Sequence, residues 1–191
     1  MANIDQAFGL RPIAKVGSAP GGTTGTTKYS ITSGASGLFT GDPVKPKADG
    51  SIEVATAGDP IRGVFMGCFY TDPGTSKPTF SNTFPNGTTA SDAIAFIADD
   101  PDQLYVAQQD SAVSNLVAAD LNQNCDLVFG AGSTTTGISG VEIDSSSKNT
   151  TAALQVKLID FYDTPSNDAT ANNSVLVIKL NNSDMNGGTG T

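Results

Sequence analysis

Histidine and tryptophan are absent from this 191-residue chain, cysteine occurs twice, and only 15% of the residues are charged. Each shortage removes a class of chemistry. Without histidine there is no Ser-His-Asp or Cys-His nucleophile, no imidazole base and no His-ligated zinc or copper site. Cys68 and Cys125 are too few for a zinc centre of four thiolates and too far apart for a CxxC redox pair. Cations are scarce as well: 10 Lys and Arg stand against 19 Asp and Glu, a formal net charge of −9. They are scattered from Arg11 and Lys15 to Lys179 and form no basic stripe, so a nucleic-acid backbone or an anionic membrane meets net repulsion. No stretch approaches the roughly 18 consecutive apolar residues of a membrane-spanning helix. The opening MANIDQAFGLRP carries an early acid and no apolar core of a signal peptide, which predicts synthesis and folding in a cytoplasm. There the two cysteines are expected as small buried thiols, a disulfide being the alternative.

What is present is a β pattern. Short apolar runs broken by Gly, Pro, Asn, Asp, Ser and Thr recur every ten to fifteen residues, as in a chain of about ten strands. In 153–161, Leu154, Val156 and Leu158 alternate with Gln155 and Lys157, a strand with one wet face. In 175–180 both faces are mostly apolar, which places that strand centrally. In 60–70, strict alternation puts Phe65 and Phe69 on one face and Val64, Cys68 and Tyr70 on the other. The glycines there, Gly63 and Gly67, suggest sharp curvature or close backbone approach. Residues 41–70 read as a β meander with a hairpin at Ala48-Asp49-Gly50. One short helix is predicted around 114–122, with Ser114 as its cap.

The expected architecture is all-β: one compact barrel or sandwich-like domain over 13–180. Residues 1–12 form an N-terminal arm, 71–91 a long loop insertion and 181–191 a flexible tail. The stretch 18–27 is too poor in apolar side chains to pack.

Sites of chemistry are hard to find. Asp99, Asp100 and Asp102 could offer hard oxygen ligands to Ca²⁺, but they lack the spacing of an EF-hand, and a turn between two strands accounts for them. The loop 130–137 is glycine-rich yet no Lys follows Gly137, so it is not a phosphate-cradling loop. With 17 Asp and two Glu, Glu53 and Glu142, a carboxylate pair for glycoside hydrolysis is conceivable, but nothing singles one out. No enzyme, no metal and no cofactor is expected.

A resemblance goes further. Met1-Ala-Asn-Ile-Asp-Gln-Ala-Phe-Gly-Leu-Arg-Pro-Ile13 resembles the opening "MANxDxxFGLRPV" of head decoration, or capsid cement, proteins of tailed bacteriophages. The likeness continues in Gly41-Asp-Pro-Val44, Ile61-Arg-Gly-Val64, Asp99-Asp-Pro-Asp102 and 137–145. It implies a virion protein made in the bacterial host cytoplasm. It also implies a homotrimer, or another small oligomer, on the outer surface of an expanded head, with HK97-fold major capsid subunits as partner. Phe8, Leu10, Arg11 and Pro12 are then the candidate partner-binding residues, Phe8 and Leu10 as apolar anchors and Arg11 as a partner for a carboxylate. The alternative for the same segment is that it packs on its own domain. Two other functions compete: a virion-displayed carbohydrate-binding or host-adhesion module using Tyr29, Tyr70, Tyr105 and Tyr162, and a tail or collar component.

Overall fold

The computed structural model describes residues 3–17, 25–111 and 115–186. Residues 18–24, the cap assigned to Ser114 and the last part of the tail, 187–191, lie outside the described residues. In chain order the first strands are β1 (Arg11–Lys15), β2 (Thr27–Ile31), β3 (Leu38–Phe39), β4 (Pro43–Pro46) and β5 (Ser51–Val54). They are followed by β6 (Gly63–Thr71), β7 (Pro78–Ser81), β8 (Thr83–Phe84), β9 (Ile94–Ala98) and β10 (Gln103–Gln108). The last five are β11 (Asn124–Cys125), β12 (Leu127–Gly130), β13 (Gly140–Ile143), β14 (Val156–Phe161) and β15 (Val175–Leu180). Among the described residues the helical elements are two single 3-10 turns, Ala118–Asp120 and Asp184–Asn186, and no helix is long and apolar enough to cross a membrane. The chain is all-β, as its turn-punctuated apolar runs require.

Five strands close on themselves. β4 pairs with β5, β5 with β2, β2 with β9, β9 with β6, and β6 returns to β4, making a small barrel to which β7 adds an edge. Ile31, Val44, Ile52, Phe65 and Ile97 fill it, joined by Leu38 and Phe84 from the β3–β8 pair. Beside the barrel lies an open antiparallel sheet in the order β1-β10-β15-β14-β11, with β15 central as its two apolar faces predict. One face of this sheet, carrying Tyr105, Leu158, Leu176 and Ile178, is buried with Val141 and Ile143 of the β12–β13 hairpin and with Ile61 and Val64 from the barrel side.

β6 therefore serves two cores, and strict alternation fails there. Val64 lies in the sheet core, whereas Phe65, Cys68 and Tyr70 all lie in the barrel core. A register shift between Phe65 and Gly67 reverses the parity, and Gly67 makes it with φ of +149°, a conformation L residues resist. Phe69 is turned outward and packs on Phe80, with ring centroids 4.7 Å apart.

Other expectations also need correction. Gln155, assigned to a wet face, is fully buried. It accepts from Leu127 N at 3.2 Å and donates to Thr56 O and Asp59 O at 2.9 and 3.0 Å, so it ties distant segments together. The insertion 71–91 is not an open loop, since it contains β7 and β8, paired with β6 and β3. The part of the tail at 181–186 is docked: Ile61 N donates to Asn182 O at 2.9 Å, and Arg62 Nε donates to Asp184 at 2.6 Å. Both cysteines are buried and free, and burial pushes each thiol up to about 12.

Replacing Gln155 by Ala leaves the buried Leu127 N–H and the Asp59 carbonyl without a partner, while Thr56 O keeps the Asp59 N–H. The expected loss is about 3 kcal/mol, or roughly 6–12 °C in Tm for a chain of this size. Thermal denaturation checks it, and a loss below about 1 kcal/mol would mean water replaces the amide.

Candidate functional site at the N-terminal segment

The segment that carries the resemblance is built into the protein. Leu10 is 1% exposed and belongs to the sheet core, and Arg11 opens β1, which pairs with β10 through Arg11 opposite Val106. The domain boundary drawn at residue 12 thus falls inside a strand. Two glycines permit the entry. Gly9 has φ of +69° and Gly41 has +97°, and the two backbones touch: a Cβ on Gly9 would stand 2.6 Å from Gly41 O, and one on Gly41 2.8 Å from Phe8 O. Between them Leu10 N donates to Gly41 O at 2.9 Å.

Residues 3–8 lie across the outer face of the five-stranded sheet. The Asn3 side chain donates to Asp168 O and Asn172 O and accepts from Asp168 N at 2.8–3.0 Å. Gln108, on β10, accepts from Gln6 N at 2.9 Å and donates to Ile4 O at 2.8 Å and Asn173 O at 2.9 Å. Under this cover the outward residues Val106 and Gln108 are buried. Above it stands a ridge. Ile4 is 76% exposed, Phe8 is half-buried, and the exposed Arg11 guanidinium lies over the Phe8 ring at 4.9 Å. Of the four candidate residues, then, Phe8 and Arg11 form one surface element, Pro12 is half-buried in β1, and Leu10 is core. Leu10 cannot be a surface anchor, because its partners are in its own domain.

Ile4, Gln108 and Glu142 belong to this site without any local pattern that marks them. The polar Gln108 in an otherwise apolar strand is the available signal. Glu142 has a buried carboxylate oxygen, Oε1, with no hydrogen-bond partner among the described residues. Burial, then the charges of Asp5 on the N-terminal segment and of Asp110, push it up from 4.5 to about 7. Asp110 is itself engaged, accepting from Ser145 N at 3.0 Å and Ser145 Oγ at 2.6 Å.

The remaining candidates are held elsewhere. Asp99 accepts from Thr27 and Tyr29 hydroxyls, Asp100 pairs with Lys15, and Asp102 pairs with Lys179, so the three carboxylates act as a turn that fastens neighbouring strands. The loop 130–137 connects β12 to β13, and Gly132 lies flat against the Phe39 ring. The four tyrosines do not converge. Tyr105 is fully buried with its hydroxyl donating to Ala98 O, Tyr70 is in the barrel core, Tyr29 is half-buried under Arg62, and Tyr162 alone of the four is exposed.

The anchoring can be tested at both ends. Gly41→Ala forces a methyl against Phe8 O in a left-handed backbone, with an expected cost of about 2 kcal/mol or more in thermal denaturation. Because the Glu142 value is raised in the folded state, its favoured protonation contributes stability in full below about pH 4.5, and this is lost as pH rises through about 7. Glu142→Gln should therefore leave Tm unchanged at pH 4 and raise it at pH 8, a gain of about 1 kcal/mol once solvent screening of a half-buried group is allowed for. Equal Tm values at pH 8 would refute the burial of charge at this position.

Comparisons with protein-family models, with curated proteins and with solved structures find no match to the chain.

Proposed function

We propose that the protein is a structural component of a virion, a decoration or cement protein that binds the outer surface of an expanded phage head and stabilises it without making or breaking a bond. The observation that carries the reading is the ridge of Ile4, Phe8 and Arg11, presented by the same N-terminal segment whose FGLRP resembles that of the head decoration proteins. Aromatic and Arg side chains are the types that anchor protein interfaces, and an Arg stacked on an aromatic ring keeps its donors free for a carboxylate. The net charge of −9 suits an outward position, since beside packaged nucleic acid it would be repelled.

In this reading the protein acts by mass action. A ligand that binds the expanded lattice and not the unexpanded one shifts the equilibrium by its differential affinity. One ridge supplies a modest affinity. An oligomer, a homotrimer by the resemblance, engages several HK97-fold subunits at once, and the later contacts form at high effective concentration.

The sugar-binding alternative draws little from the geometry. Tyr162 is flanked by Asn167, but the Asn167 side chain already donates to Tyr162 O and Val175 O and accepts from Val175 N.

Removing residues 2–12 would delete a core leucine and part of β1, so the test uses surface variants. Phe8→Ala with Arg11→Glu should keep the far-UV circular dichroism of the parent and lower retention on expanded heads by roughly 30-fold or more per site, about 2 kcal/mol. Retention equal to the parent's would remove the ridge from the function.

A further inference from the structure

The outer face of the five-stranded sheet is covered over only part of its length. Where residues 3–8 cross it, Val106 and Gln108 are buried; beyond Arg11 the aliphatic side chains of the face are half-buried among the described residues. There Ile13, Leu104, Ile159, Val177 and Tyr162 line an open groove of about 800 Å³. Most are β-branched or aliphatic side chains, and Ile13 and Ile159 stand at the register shifts of β1 and β14.

Charge on this face is arranged unlike that of the rest of the molecule. Arg11, Lys15, Lys157 and Lys179 stand on or beside it, four of the ten cations of a chain with net charge −9. Lys179 is paired with Asp102 and Lys15 with Asp100. Lys157 sits directly opposite Lys179, a like-charge cross-strand pair that is unfavourable in isolation, and no ion pair is formed by Lys157 among the described residues. On the same strand, β14, Asp160 is exposed, and Asp163 follows just beyond it.

We infer that this half-covered face pairs with the same face of a second copy of the chain across a two-fold axis. An isologous contact places residue i against j and j against i. Two β14 strands crossing face to face bring Lys157 of each copy to Asp160 of the other, both on this face because β14 shifts register between Leu158 and Asp160, with Ile159 between the two ion pairs and Val177 beside them. Their partners on β15, Lys179 and Val177, are two positions apart, so the two ion pairs stand about 7 Å apart along the strand. Every feature of the face then has a partner: the apolar groove is covered, Lys157 gains a carboxylate, and the local balance of charges lets two strongly acidic molecules meet where repulsion is smallest. A two-fold contact makes a pair. A three-fold assembly on a head would need a further, heterologous surface, so this inference stands independently of the head-binding reading.

Sedimentation of the full chain tests it in the absence of any head. The parent should self-associate at micromolar concentration, and Val177→Asp should sediment as a monomer with an unchanged circular dichroism spectrum. Lys157→Asp and Asp160→Lys should each weaken association by roughly 10-fold, and the doubly exchanged chain should regain most of it, the signature of a direct pair. Because both exchanged positions are at the surface, they report on contact even if Val177→Asp perturbs folding. A parent that stays monomeric, an association indifferent to Val177→Asp, or an exchange that does not restore would each overturn the inference. Head retention by Phe8→Ala with Arg11→Glu is a separate measurement, so either proposal can fail alone.

Discussion

The contact between Gly9 and Gly41 is the constraint on which the rest of the site depends. Gly41 leads into the barrel strand β4, its N–H donates to Phe65 O, and its carbonyl accepts from Leu10 N. One backbone junction thus joins the N-terminal segment, the barrel and, through Leu10, the core of the open sheet. A side chain at either glycine would separate the backbones, and with them the entry of Leu10 into the core and the register of β1 on β10. The FGLRP sequence has a physical meaning at each position: a ring to stack, a glycine to turn, a leucine to bury, an arginine to project and a proline on an edge strand, where its missing N–H costs least.

The same logic of shared elements explains β6. The strand feeds two cores through its two faces, and the bulge at 65–67 exchanges those faces, so that Cys68 and Tyr70 join Phe65 in the barrel core. Turn chemistry and alternation are legible in the sequence wherever a strand faces one core. The acidic turn 99–102 and the central place of Val175–Leu180 follow on that basis. Where alternation fails, the cause is long-range: the bulge in β6 answers to the barrel on one side and the sheet on the other, and Gln155 is buried because it joins the chain at Thr56 and at Leu127. No local pattern carries that information. The strands within 71–91 escape a sequence reading for a related reason, since they are short and polar and gain their order from β6 and β3.

The site is legible in part. Its four candidate residues fall within the five positions 8–12, and Phe8 and Arg11 are of the types that anchor interfaces. What periodicity cannot separate is a leucine that anchors a partner from one that anchors its own core, because the burying groups come from distant strands. Asn3 and Gln108, which hold the segment down, look like ordinary polar residues until the backbone groups at 168, 172 and 173 are brought beside them.

A pre-built ridge behaves differently from a free arm. A disordered arm would order itself on its partner, and that ordering would subtract several kcal/mol from each contact. Here the segment is already hydrogen-bonded at Asn3, Gln6 and Leu10, and the Arg11 side chain already rests on Phe8. The conformational cost lies in the folding of the monomer, where core burial of Leu10 offsets it, so an incoming partner meets a surface of fixed shape. Fixed shape sharpens discrimination between two lattice states that differ in the spacing of their subunits. A flexible arm could follow a partner from one spacing to the other, whereas a ridge welded to a sheet fits one spacing and loses contact at the other. Under the proposed function, that rigidity would convert a modest interface into a differential affinity, the quantity a stabilising protein has to supply.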